Sequence, residues 1–299
     1  MKVLLLGGMG YIGSTLCEYL SRETEHHVTV VDKLEFGVDP NFFYDLLNHE
    51  RMRFIKGDIA NMSLIYPLIK KHDIVIDLAS LTLPNSASEP DKAIMINQHM
   101  AEIIGDCCKK LDKRMIFLST CSNYGKSTKP VDENAELFPV SIYAISKVNA
   151  EKYLLKNVPK ITILRCATAY GVSPGRTRWD VLFNDFVKTA IEKKRMEIFQ
   201  PTAHRPIVHV YDIARAISMV IDENNLKHNV YNIGEYNYTK GELAKIVAGR
   251  FHAIIDLVEN NDNRDYQVSF KRAQQELGFF EISGLPLTME QLYGELKRK

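Results

Sequence analysis

Residues 2–13 read KVLLLGGMGYIG, and the reading of this stretch decides the fold. KVLLL (2–6) is a short apolar run that stops at glycine, as a strand buried on both faces does. Gly7, Gly10 and Gly13 follow at three-residue spacing, and YIGSTLCEYLSRE (11–23) has helical periodicity. A strand, a glycine turn and a helix in that order gather backbone N–H groups where a pyrophosphate can approach them. VTVVD (28–32) is the next strand, and Asp32 ends it. A carboxylate there accepts hydrogen bonds from an adenosine ribose and repels a 2′-phosphate, which favours NAD over NADP. Asp58, in KGDIAN, either meets the adenine edge or caps the helix that starts near NMSLIYPLI.

The alternation continues down the chain. RFIKGD (53–58), DIVIDLAS (73–80), RMIFLST (114–120) and KITILRC (160–166) read as strands. Residues 91–111 and 141–157 read as helices between them. Repeated strand–helix units of this kind predict an α/β protein with a doubly wound parallel sheet. After Tyr170 the pattern loosens, with a loop-like VSPGRTRWD (172–180), then a helix around 180–194. VYDIARAISMVIDE (210–223) and HNVYNIG (228–234) read as a helix and a strand that return to the sheet. The expected division is a dinucleotide-binding domain of residues 1–168 and 207–233. A smaller C-terminal α/β substrate domain takes 169–206 and 234–299.

Composition narrows the function. The chain has 299 residues, 45% hydrophobic and 25% charged, with a net charge of +1 and both signs mixed along it. No electrostatic case exists for nucleic acid. No apolar run approaches the roughly 18 residues of a membrane span. MKVLLLGG is too short in its apolar part for a signal peptide and reads as a first strand. Cys17, Cys107, Cys108, Cys121 and Cys166 are odd in number and lack paired spacing, which points to reduced thiols in a cytoplasm. Neither a CxxC pair nor HExxH is present, so no metal site is expected.

YAISK (143–147) places Tyr143 and Lys147 one helical turn apart. Tyr66/Lys70, Tyr236/Lys240 and Tyr293/Lys297 have the same spacing, so spacing alone decides nothing. The setting distinguishes Tyr143. LSTCSNYG (118–125) closes the fifth strand, and Thr120 stands at the carboxyl end, where ligands sit in this architecture.

The set resembles the extended short-chain dehydrogenase/reductase family, in particular its nucleotide-sugar epimerases and dehydratases, with a Rossmann sheet. GGMGYIG, VVDKL, GDIAN, the ST…YG tract, YAISK, LRCATAYG and RPIVHVYDIARAI occur in the family's order across essentially the whole chain. The resemblance implies that Tyr143 is the acid/base, that Lys147 binds the nicotinamide ribose and that Thr120 hydrogen-bonds the reacting hydroxyl. A free tyrosine has a pKa near 10, and the ammonium of Lys147 and an oxidised nicotinamide ring are expected to lower it. An NAD cradle is implied for Gly7, Gly10, Tyr11, Ile12, Gly13, Asp32, Lys33, Asp58, Ile59, Leu78, Ala79, Ser80, Asn97 and Cys166, with Tyr143 and Lys147. The nucleotide-sugar side is implied for Thr120, Cys121, Ser122, Thr168, Arg178, Asn184, Arg205 and Arg264. Arg176 and Arg178 also fit a solvated basic loop. Pairing of helices 91–111 and 141–158 across a two-fold axis into a homodimer is implied as well.

Departures from the family pattern refine the expectation. Where related 4,6-dehydratases carry an Asp-Glu pair after the threonine, this chain has Cys121 and Ser122, which disfavours elimination of water. DLASLTLPNSASEP (77–90) differs from the HLAA continuation of galactose epimerases. SPGRTRWDVLFNDF and NRDYQVS resemble a narrower subset that includes GDP-heptose C4-oxidising enzymes. The expected function is a UDP-glucose 4-epimerase-like, NAD-dependent nucleotide-sugar epimerase that oxidises a hydroxyl at C4 transiently. Net C4 dehydrogenation is the alternative, ahead of 4,6-dehydration and of a non-catalytic dinucleotide sensor.

Overall fold

The computed structural model describes residues 1–82, 84–223, 225–259 and 264–298. Leu83 of the DLASLTLP stretch and Asn263 of NRDYQVS lie outside the described residues. Twelve strands occur among the described residues: β1 (Lys2–Leu6), β2 (His27–Asp32), β3 (Met52–Lys56), β4 (Ile74–Asp77), β5 (Arg114–Thr120), β6 (Ile161–Cys166), β7 (Thr168–Tyr170), β8 (Arg195–Ile198), β9 (His204–His209), β10 (Val230–Ile233), β11 (Tyr236–Thr239) and β12 (Ile254–Leu257). The first helices are α1 (Tyr11–Glu23), α2 (Pro40–Asn48), α3 (Met62–Lys71), α4 (Asn85–Ser88) and α5 (Pro90–Ile94). A π-helical turn, Met95–Met100, joins α5 to α6 (Ala101–Lys110). Then come α7 (Ile142–Asn157), α8 (Leu182–Lys193), α9 (Val210–Asp222), α10 (Lys240–Phe251), α11 (Lys271–Leu277) and α12 (Leu285–Lys297).

Seven strands form one sheet in the order β10-β6-β5-β4-β1-β2-β3. Every pairing in it is parallel. Side chains of β1 alternate between two cores: Val3 and Leu5 pack on the face covered by α1 and α9, and Leu4 and Leu6 on the face covered by α3, α6 and α7. That period of two, apolar on both sides, explains why the strands read as unbroken apolar runs. The strand order reverses between β1 and β4, which opens a crevice at their carboxyl ends.

The remaining strands make a three-stranded sheet, β11-β9-β7, and a two-stranded one, β12-β8. A third core of α8, α10 and α12 packs there around Phe183, Phe186, Val187, Leu243, Val247, Met289 and Leu292. The helix expected over 91–111 is present but interrupted by the π-helical turn. Among the described residues, no helix is long and apolar enough to cross a membrane.

Candidate active site

The glycine turn is built as tightly as its sequence demands. Gly7 has φ +77°, and a Cβ there would stand 2.7 Å from the Ala79 backbone. A Cβ on Gly13 would meet the carbonyl of Gly7 at 2.6 Å, so this residue lets α1 pack against the turn. Gly10 is different: its nearest neighbour is the Gly7 carbonyl, at 3.8 Å. It is also the N-cap of α1, and no side chain caps that helix end. A thirteen-residue helix thus presents bare N–H groups beside an open glycine, the arrangement that accepts phosphate oxygens.

A cleft beside this turn is lined by Gly7, Gly10, Asp32, Lys33, Gly57, Asp58, Ile59, Leu78, Ala79 and Ser80. The Asp32 carboxylate accepts from the Met9 N–H (2.9 Å) and the Leu34 N–H (2.7 Å), which fixes its direction at the end of β2. Lys33 pairs with Glu35 at 2.6 Å. Asp58 is exposed in the cleft wall and accepts from Ala60 N–H; Asn61, not Asp58, caps α3.

A second cleft, about 510 Å³, lies at the ends of β5 and β6. Tyr11, Ile12, Thr120, Ser122, Tyr143, Cys166, Thr168, Arg178, Asp180, Arg205, Lys240 and Arg264 are in its wall. The Thr120 hydroxyl lies beside the Tyr143 phenol and accepts from Ser122 N–H at 3.1 Å. Burial pushes the phenol up to about 12, against the smaller lowering effects of the Arg178 charge and the Thr120 hydroxyl. In the chain alone, loss of water around the phenolate outweighs the nearby positive charge; the expected depression includes the charge of an oxidised nicotinamide ring. Lys147 is buried, donates to the Leu118 carbonyl at 2.9 Å and stands 4.3 Å over the Phe117 ring. The tyrosines of the other Tyr/Lys pairs are elsewhere, although Lys240 is in the cleft wall. Tyr236 and Tyr293 are exposed, and Tyr66 lies under Lys110 on α3.

Three side chains assigned to ligand contacts are committed to the protein instead. Asn97 is fully buried; its oxygen accepts from Ser80 and Leu81 N–H, and its nitrogen donates to the Leu81 carbonyl and Ser146. It ties the chain after β4 to α7 from behind the cleft wall. Asn184 is likewise buried, accepting from Gly171 N–H and donating to the carbonyls of Gly171 and Arg178 and to Tyr11. Cys121 packs in the core, its thiol on the Arg165 carbonyl. Arg178 is clamped by both oxygens of Asp180 (3.0 and 2.6 Å) and by Thr82, whereas Arg176 stacks on Phe36. Arg205 donates to the carbonyls of His204 and Arg264.

Two further side chains in or beside the cleft were given no role by the sequence. Tyr266 meets Ser122 at 3.2 Å and is felt by Tyr143, and Lys240 lies 3.7 Å over the ring of Phe199. Tyr266 lies in the NRDYQVS stretch and Lys240 in the Tyr236/Lys240 pair, but neither stretch gives its side chain a place near Tyr143. Only the fold brings them to the cleft.

Residues 3–234 match the model of the NAD-dependent epimerase/dehydratase family. The chain belongs to that family. It is 30% identical, over 248 residues, to the uncharacterized UDP-glucose epimerase YtcB of Bacillus subtilis, covering 78% of this chain and 77% of that one. It is 26% identical over 301 residues to a dTDP-glucose 4,6-dehydratase of an Actinoplanes species, covering 93% and 92%. Among solved structures, UDP-glucuronic acid 4-epimerase from Bacillus cereus, in complex with UDP-glucuronic acid and NAD, superposes with a TM-score of 0.88 at 25% identity. That match covers 100% of this chain and 99% of the other.

NAD is the cofactor of this enzyme family, and the glycine turn of this chain fits it: the open Gly10 and uncapped α1 suit the pyrophosphate, and Asp32 suits the ribose. Asp32→Ala is expected to weaken NAD binding by about tenfold or more, as for loss of a charged hydrogen-bond acceptor, and to relax discrimination against NADP. Calorimetric titration of both nucleotides checks this. Tighter binding of NADP than of NAD by the unmutated protein contradicts it.

Proposed function

We propose that this protein is an NAD-dependent nucleotide-sugar epimerase that oxidises a sugar hydroxyl transiently, at C4, and reduces the ketone from its other face. The observation that carries the reading is the placing of Thr120 beside Tyr143 in a cleft whose wall also holds Tyr11 and Ile12 of the glycine turn. NAD, when bound, supplies the hydride acceptor and donor. Thr120 orients the reacting hydroxyl, and Tyr143 takes its proton and later returns it. Lys147 supplies positive charge from beneath. Arg205 and Arg264, at the far side of the cleft, suit the diphosphate.

Cys121, held in the core, cannot act as an acid in a 4,6-elimination, and the Ser122 hydroxyl is a weak one, so the dehydratase relatives are not followed in chemistry. Residues 1–168 with 207–233 are read as the NAD portion, and 169–206 with 234–299 as the sugar-nucleotide portion. The separate core of α8, α10 and α12 supports this division, although β9 runs across one boundary. Five unpaired cysteines suit a cytoplasmic protein.

The test is a panel of UDP-, dTDP- and GDP-linked hexoses and UDP-glucuronic acid, with products read by NMR. An epimer formed without accumulation of reduced cofactor supports the proposal. Stoichiometric reduced cofactor identifies net dehydrogenation, and no turnover of any member contradicts an enzymatic reading.

A homodimer is part of the same reading. Met95, Ile103 and Ile145 are exposed apolar side chains on the π-helical turn, α6 and α7. Light scattering is expected to give twice the 34.2 kDa chain mass, and Ile103→Asp with Ile145→Asp to give monomer. A monomer mass for the unmutated protein at micromolar concentration contradicts it.

A further inference from the structure

Four charged side chains lie buried in a row under the carboxyl ends of β4, β5 and β6. Asp77 ends β4, Lys147 and Glu151 come one turn apart from α7, and Arg165 comes from β6. Their signs alternate. Glu151 is fully engaged: Arg165 holds both its oxygens (2.7 to 3.2 Å), and Ser119 and Asn123 donate to it as well. That leaves Lys147 without a committed carboxylate on the Glu151 side.

Asp77 stands on the other side. It is 1% exposed and registers with Phe117 of β5, the ring over which the Lys147 ammonium sits. Strand alternation puts its side chain on the face of Val75, the face that α6 and α7 cover. One carboxylate oxygen accepts from Ala79 N–H at 3.2 Å; the other is buried with no hydrogen-bond partner. A buried carboxylate with an uncommitted oxygen is costly unless a positive charge offsets it.

We infer that Asp77 is the counter-charge of Lys147, a positioning residue that keeps this buried ammonium protonated beneath Tyr143. The inference rests on the reading of Lys147 given above. It also gives a purpose to the aspartate that this chain places where the HLAA pattern has histidine. The electrostatics agree. Burial brings Lys147 down to about 8, and among the groups that resist this, Asp77 precedes Glu151 and Cys166. Burial brings Asp77 up to about 6, resisted first by Lys147 and then by Ala79 N–H. From α6, the Cys108 thiol also faces Asp77, and burial holds that thiol protonated. Without the Asp77 charge, Lys147 is an uncompensated cation and sheds its proton at lower pH.

The test labels lysine with ¹³C at Cε and follows the Lys147 resonance, assigned with Lys147→Met, through a pH titration without any nucleotide sugar. A midpoint near 8 is expected for the unmutated protein. Asp77→Asn, nearly the same shape without the charge, is expected to move it down by about one pH unit. A midpoint that does not move in Asp77→Asn, or an unmutated midpoint in the ordinary lysine range near 10, overturns the inference. If Asp77→Asn does not fold, the unmutated titration decides: a secondary inflection of Lys147 near pH 6, as Asp77 takes its proton, supports the pairing, and its absence overturns it. Failure here leaves the epimerase reading to the sugar panel, since no substrate enters the measurement.

Discussion

Tyr143→Phe is expected to lower nucleotide-sugar turnover by about 10²–10⁴-fold while the fold and NAD binding survive. The substitution removes one oxygen and almost no volume, so the ring still packs at the start of α7. What is lost is the atom that faces Thr120 and that, in the proposed chemistry, exchanges a proton with the sugar hydroxyl. Burial holds the phenol up to about 12 in the chain alone, so taking the sugar proton would need the added positive charge of an oxidised nicotinamide beside it. Tyr66→Phe, Tyr236→Phe and Tyr293→Phe are the controls, because those tyrosines share the four-residue spacing to a lysine but are not in the cleft wall. Steady-state rates of the four variants are to be compared on one substrate. Near-normal turnover in Tyr143→Phe would remove the basis of the proposed chemistry.

Glu151→Ala is expected to cost about 3–5 kcal/mol of stability, the usual consequence of removing one partner of a buried ion pair. Arg165 and Glu151 are 5% and 1% exposed, so the guanidinium left behind cannot recover its water. Ser119 and Asn123 lose an acceptor in the same step. Replacing both charges, Glu151→Leu with Arg165→Met, is expected to recover most of the loss, since the larger part of the cost is the stranded charge. Denaturant titration of the two variants reads both effects. A Glu151→Ala midpoint equal to that of the unmutated protein contradicts this account of the charge row.

Much of the fold was legible because the sheet is buried on both faces. KVLLL, VTVVD, DIVIDLAS, RMIFLST and KITILRC are apolar for that reason, and glycine or a polar turn closes each of them. Gly7 and Gly13 were legible for a related reason: one has a positive φ and the other no room for a Cβ. The inward commitment of Asn97 and Asn184 has a different cause. Asn97 finds Leu81 and Ser146 at separations of 16 and 49 residues, and Asn184 finds Gly171 and Tyr11 at 13 and 173. An amide in a motif looks the same from sequence whether it faces a ligand or clamps two loops. The upward push on Tyr143 in the chain alone was not legible, because a sequence displays neighbouring charges but not the loss of water that opposes them. The π-helical turn at Met95–Met100 was not legible either, since its residues continue the helical periodicity of 91–111.

The most direct test of the central claim is the fate of the hydrogen at the epimerised carbon. A nucleotide sugar from the panel, deuterated at C4, is turned over in ordinary water and the product examined by NMR. Oxidation and re-reduction within one site predict an epimer that keeps its deuterium at C4. An epimer that carries protium there, the label lost to solvent, contradicts the account.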